Sequence, residues 1–308
     1  MTAPNQPAAT SPAGSIYDLG YRHYEGVRHG RLYAMWSLYV ESLRGVWGFG
    51  RPTTAKAAPF IILGIYSLLA IVQLAFSSVF AQAMARGDTV ELLTYANYFA
   101  TLSPFIVLFC IAQGPEVVCR DQRYSVLPLY LTRALSAVDY AVAKIAAFTT
   151  SLFVALMVPM IALFIGDVLM KADAFQAIGD EIPHFLPAIP ASFLIALGLA
   201  AISLALSSFS PRRAYSAMGL VAYFLILEAV LASVFAIGVE SSLEWTSRIK
   251  LLGPTSALSG ANDWFFGIRP DPKTFGEVLG ADAYLGAALL SVLVFTSILL
   301  LKYRRVRS

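Results

Sequence analysis

Residues 145–166 read IAAFTTSLFVALMVPMIALFIG, an unbroken run without an Asp, Glu, Lys, Arg, Asn or Gln. A helix needs about 20 mostly apolar residues to cross a hydrocarbon core of roughly 30 Å. This run is long enough, and five more flank it: 59–80, 95–113, 187–209, 215–239 and 284–301. Only one of the six holds a charged residue, Glu228 in the fifth. The ten-residue alternation of a membrane β-barrel is absent. The pattern therefore predicts an all-α integral membrane protein with six transmembrane helices.

Composition agrees. The chain has 308 residues, 58% hydrophobic and only 13% charged, whereas soluble domains carry about 25% charged residues. Much of its surface is thus expected to face lipid. The net charge of +3 says little until it is mapped along the chain. The segment before 59, the 114–144 loop, the 210–214 loop and the tail from 302 carry 6, 4, 2 and 4 of the 22 basic residues. The alternate loops carry the remaining 6, and twelve of the nineteen acids. Basic residues mark the cytoplasmic side, so both termini are expected there.

Residues 1–15, MTAPNQPAATSPAGS, have neither a charged start nor an apolar run. They read as a disordered tail rather than a cleavable signal peptide. Residues 16–58 form a cytoplasmic tag followed by LYAMWSLYVESLRGVWGF at 32–49. There Leu32, Met35, Trp36, Tyr39, Val40, Leu43, Val46 and Trp47 recur three and four apart, with Ser37, Glu41, Arg44, Gly45 and Gly48 opposite. That spacing predicts an amphipathic helix lying on the inner leaflet. The six-span domain follows, over 59–308.

The loop 114–144, GPEVVCRDQRYSVLPLYLTRALSAVDYAVAK, is too long and too apolar for a simple connection. Val126, Leu127, Leu129, Tyr130 and Leu131 can form a short helix whose apolar face needs a partner. That partner is either the chain's own interfacial helix or another protein. The spacing E-x(4)-D-x-R-x(3)-L-P-L-Y-L-T-R-x-L-S-x-x-D-Y-x-x-x-K resembles the corresponding loop of ABC-2-type permeases, the membrane subunits of many ATP-driven exporters. The tag YDLGYRHYEGVRHGR at 17–31 and the stretch GPTSALSGANDWFFG at 253–267 are similar to a bacterial subgroup of that family.

The resemblance covers nearly the whole chain beyond residue 16 and implies a type V exporter-like fold. It also implies a role for the loop as a coupling helix docked on a separate ATPase. Glu116, Asp121, Arg123, Leu127, Leu131, Arg133, Asp139 and Lys144 fall on the matching positions. Two departures stand out. The family often has Gly-Thr where this chain has Ser125-Val126, and Pro where it has Ala134. The implied assembly is a bacterial plasma-membrane exporter of two permease copies, most simply a homodimer, with two ATPase subunits. ATP and magnesium would be held on the ATPases, with no cofactor on this chain.

Other residues allow both a bland and a sharp reading. Tyr17, Asp18, Arg22, Arg28 and Arg31 could contact the ATPase or anchor to anionic lipid. Glu228 could line a translocation path or hydrogen-bond a neighbouring helix, since a carboxylate inside a span must face protein or water. The prolines at 104, 159, 187 and 190 lie in or at the ends of spans and could kink them. Cys110 and Cys119 read as packing residues, not a disulfide or a metal site. Residues 240–281, with Trp245, Trp264, Phe265 and Phe266, are expected to fold back onto the outer leaflet.

No G-x-x-x-x-G-K-[ST], H-E-x-x-H or G-x-S-x-G occurs, so no motif for enzyme chemistry is legible. A self-contained secondary transporter would call for an inverted repeat and several intramembrane polar groups. A membrane scaffold or assembly factor is the other alternative.

Overall fold

The structure, a computed structural model, describes residue 26 and residues 29–83, 94–131, 135–171, 173–240, 248–268 and 280–306. Among these there is no strand. The helices are α1 Arg31–Val46, α2 Thr53–Ala83, α3 Tyr95–Arg123, α4 Leu127–Leu131, α5 Ala137–Met170, α6 Ala174–Phe185, α7 Ala188–Ser207, α8 Arg213–Val221, α9 Leu227–Glu240, α10 Pro254–Phe265 and α11 Ala281–Val306. One π-helical turn, Ala222–Ile226, joins α8 to α9 without a break. Six helical stretches are long and apolar enough to cross a membrane: α2, α3, α5, α6 with α7, α8 with α9, and α11. The chain is a multi-pass helical membrane protein.

The centre of the bundle is α7. Its sequence AIPASFLIALGLAAISLALS is rich in Ala, Gly and Ser, which let helix backbones approach closely where lipid supplies no hydrophobic drive. It packs against α3, α5, α10 and α11. In its most apolar stretch 72% of residues are buried, against 17% for α8 with α9 and 17% for α11, which therefore form the periphery. Where α3 crosses α7, a Cβ on Gly114 would come within 3.3 Å of Ser203 Cβ, so a larger residue there would press on α7. Cys110 and Cys119 line the same helix as free, buried thiols. Pro104 and Pro159 sit inside the continuous helices α3 and α5. Pro187 instead caps α7 and Pro190 lies in its first turn, where a missing N–H costs nothing.

Four expectations are corrected. The second span does not end at 113: α3 runs to Arg123, and α5 begins at Ala137, so the 114–144 loop is mostly two helix ends with α4 between them. Residues 174–185, expected as an external loop, form α6, capped by the Asp173 carboxylate accepting from Phe175 N–H at 3.0 Å.

The stretch read as an interfacial helix forms a helix, α1, but its apolar face splits. Leu38, Ser42 and Val46 are buried, on a helix that packs chiefly on α5, while Trp36 stays 62% exposed. The last concerns α10, which is not a loose surface segment but packs one face into the bundle. Ala257, Leu258, Gly260 and Ala261 bury it, and its neighbours are chiefly α7 and α11.

Candidate functional site

The ends of α3, α5, α8 and α11 that carry basic residues meet the end of α7 at one end of the bundle, beside α1. Ion pairs organise this charged end. Glu116 on α3 accepts from Arg51 at 2.9 Å and from Arg213 at 2.5 Å, tying the α1–α2 turn and the start of α8 to one carboxylate. Asp121, one turn and a half further on, pairs with Lys144 of α5 at 2.8 Å, with both side chains nearly buried. Tyr140 donates its hydroxyl to the same carboxylate at 2.8 Å, and its ring meets Tyr303 of α11 edge-on at 4.9 Å. Gln122 donates to the Ser208 carbonyl at 2.9 Å, closing α3 against the end of α7. Buried charges persist only when paired and hydrogen-bonded, and here every partner of these α3 residues lies outside α3.

Asp139 has two tasks. Ser136 and Asp139 form a reciprocal capping box at the start of α5, the arrangement that satisfies two orphan N–H groups at once. The same carboxylate accepts from Arg31 at 2.7 and 2.6 Å. This fork holds the start of α1 against α5, and it raises the Arg31 guanidinium above its ordinary pKa through the Asp139 hydrogen bond.

Between α3 and α5 the chain makes a tight elbow. Val126 N–H donates to the Asp121 carbonyl at 3.1 Å and Ser125 N–H to Gln122 at 3.2 Å. This is the Schellman pattern, which places the intervening residue in the left-handed region. Ser125 occupies that position with φ +52°. On the α4 turn that follows, Leu127 is 7% exposed and Leu129 is 65% exposed.

The eight loop residues singled out from sequence therefore divide. Glu116, Asp121, Asp139 and Lys144 are brought together as internal ion-pair residues. Leu127 faces inward, Leu131 closes α4, and Arg123 is exposed in the last turn of α3. Arg133 lies outside the described residues, as do Tyr17, Asp18, Arg22 and Arg28. Sequence reasoning missed Arg51, Arg213 and Tyr140; Leu129, part of the apolar set read in the loop, is the member that faces outward. The signal for the arginines was their charge beside an apolar span with an acid left to match.

Glu228 lies away from this end and has a different task. Its carboxylate accepts from Thr255 N–H at 3.3 Å and Ser256 N–H at 3.2 Å, and also from the Ser256 hydroxyl. It thus caps α10, satisfying N–H groups that helix geometry leaves open. At the other end of α10, the Asn262 side-chain amide donates to the Ala96 carbonyl at 2.7 Å. The helix is bolted to α9 and α3 at its two ends. Of the two readings of Glu228, this geometry supports the hydrogen-bonding one.

No group of metal-ligating side chains occurs among the described residues. Comparison with protein-family models and with curated proteins finds no match for the chain.

Proposed function

We propose that this chain is the permease subunit of an ATP-driven ABC exporter of the ABC-2 type, in a bacterial plasma membrane with both termini in the cytoplasm. A separate ATPase, bearing ATP and magnesium, supplies the work, and a second copy of the chain completes the pathway. The observation that carries this reading is the elbow between the second and third spans. Two long helices converge there, locked by Asp121–Lys144, and a single helical turn presents Leu129 outward. That is the construction a coupling element needs, because a push on α4 reaches α3 through the tight turn at Ser125, and α5 through the Asp121–Lys144 pair. The residue pattern of the elbow supports the same reading: Ser125 holds the left-handed φ at the position where the permease family often has glycine.

The test is co-purification of the tagged chain from its native membrane, with a mass spectrum of its partners. A stoichiometric ATPase, lost on Leu129→Asp while the thermal melt is unchanged, is the expected result. Leu127→Asp is the wrong probe, since that side chain is buried within its own chain. A chain that purifies alone, and moves a solute in liposomes without ATP, would refute the proposal.

A further inference from the structure

The turn from α1 to α2 builds a groove that no ion pair of the charged end fills. Gly48 and Gly50 hold φ of +72° and +79° there, a conformation glycine adopts without strain. They fold the turn so that Arg51 points back to Glu116. A cavity of about 380 Å³ results, lined by Glu41, Arg44, Phe49, Arg51 and Arg120 among others. It shares Glu41, Arg51 and Arg120 with a neighbouring cavity of about 300 Å³ that reaches Lys144.

The charges do not balance. Arg51 shares Glu116 with Arg213, and Lys144 is matched by Asp121. Arg44 and Arg120, both exposed, have no ion-pair partner among the described residues. Glu41 alone offsets them, leaving at least one positive charge over. A phosphodiester carries one negative charge, and arginine forks match its oxygens.

The apolar rim identifies what carries that phosphate. Phe49 is 52% exposed and packs edge-on against Phe60, at 6.2 Å between centroids. Phe60 and Ile61 continue outward along the first span, themselves exposed. A polar, cationic pocket thus opens directly onto an exposed apolar strip at the start of the first span.

We propose that this groove binds a phosphodiester anion, held by Arg44 and Arg120, as the headgroup of an anionic phospholipid whose acyl chain lies along Phe49, Phe60 and Ile61. The site is independent of the transport reading and needs only that the chain reside in a bilayer.

The experiment is native mass spectrometry of the full-length protein released from detergent. It is titrated in separate arms with phosphatidylglycerol, phosphatidylcholine and inorganic phosphate. Phosphatidylglycerol is expected to form a discrete one-to-one adduct that phosphatidylcholine does not match. The Arg44→Gln/Arg120→Gln pair is expected to weaken it about tenfold or more, from two surface cations removed. The Lys302→Gln/Arg304→Gln pair, taking the same charge from α11, is expected to leave it unchanged. Phe49→Asn separates the sources: it weakens the phosphatidylglycerol adduct if the acyl chain is held there.

An adduct insensitive to the Arg44/Arg120 pair, or equally sensitive to the α11 pair, would overturn the site. Inorganic phosphate competing at concentrations comparable to phosphatidylglycerol, with no effect of Phe49→Asn, would overturn the lipid assignment. It would leave a soluble phosphate as the ligand.

Discussion

Replacing Glu228 by alanine gives the sharpest test of how α10 is held. The change deletes the acceptor of two backbone N–H groups, at 3.3 and 3.2 Å, and of the Ser256 hydroxyl. A hydrogen bond to a charged group contributes about 1.5–3 kcal/mol, and a donor left buried and unsatisfied costs about 1–3 kcal/mol. Against this, removing a carboxylate from inside a span recovers part of its insertion cost, about 2.5–3.5 kcal/mol on insertion scales. The net is a local destabilisation of roughly 1–3 kcal/mol, close to the loss of an ordinary N-cap. Hydrogen–deuterium exchange on the protein in detergent reads this directly. The amides of Thr255 and Ser256 should exchange about ten to a hundred times faster. Those near Ala261 should change less, because Asn262 still holds that end. Glu228→Gln keeps an acceptor and loses only the charge, so it should fall between the two. Unchanged protection at Thr255 and Ser256 would refute the capping role. Equal loss over the whole of α10 would show that the carboxylate holds the helix globally, not at its N-terminus.

Three further perturbations follow from the same geometry. Ser125→Gly relieves a side chain at φ +52° and should stabilise the protein by about 0.5–1 kcal/mol, as a raised denaturation midpoint. Lys144→Met leaves the Asp121 carboxylate uncompensated and should cost about 3–5 kcal/mol, whereas Lys144→Met with Asp121→Leu should recover most of that loss. A thermal melt in which the double variant is no better than the single would contradict the pairing. Burial pushes the Asp263 carboxyl up to about 6. Because the folded state holds that proton more tightly than the unfolded chain, stability should fall as pH rises from about 4 to about 6. The loss should be about 1–2 kcal/mol after allowance for solvent screening at a part-exposed group. Asp263→Asn should remove that slope.

The six spans were legible because a membrane leaves a signal that tertiary contacts cannot disguise: long runs without charge. Their ends were not. Glu116, Asp121 and Lys144 read as loop residues, since charges normally mark the close of a span. Each is instead matched across helices, and the match lets α3 continue ten residues past the apolar run. Helix α6 escaped notice because its apolar positions, Phe175, Ile178 and Ile182, form a stripe too short to weigh against the acids beside it. For α10 the aromatic cluster at 264–266 drew attention to an outer surface. The decisive feature was the Ala257–Leu258–Gly260–Ala261 stretch, whose small residues admit neighbouring helices. A Cβ on Gly260 would sit 2.4 Å from the Tyr284 ring. No periodicity in one sequence could reveal that Glu228 and Ser256, 28 positions apart, share a hydrogen bond.

The two fastenings of α10 raise a question of mechanics that one measurement decides. Asn262 ties it to Ala96, at the start of α3, and Glu228 ties it to α9. With 29 residues at about 1.5 Å each, α3 spans roughly 43 Å, from that bond to the elbow beside α4. If α10 moves as one body, losing either fastening loosens the other, and the costs of Asn262→Ala and Glu228→Ala will not add. Their double-mutant cycle should then give a coupling of about 0.5–2 kcal/mol, read from the denaturation midpoints of the four proteins. Additivity within about 0.3–0.5 kcal/mol would mean that the ends of α10 respond independently. In that case displacement of α3 at the charged end would stop at Asn262. A non-zero coupling would make α10 a mechanical link between the start of α3 and the peripheral α8–α9 pair.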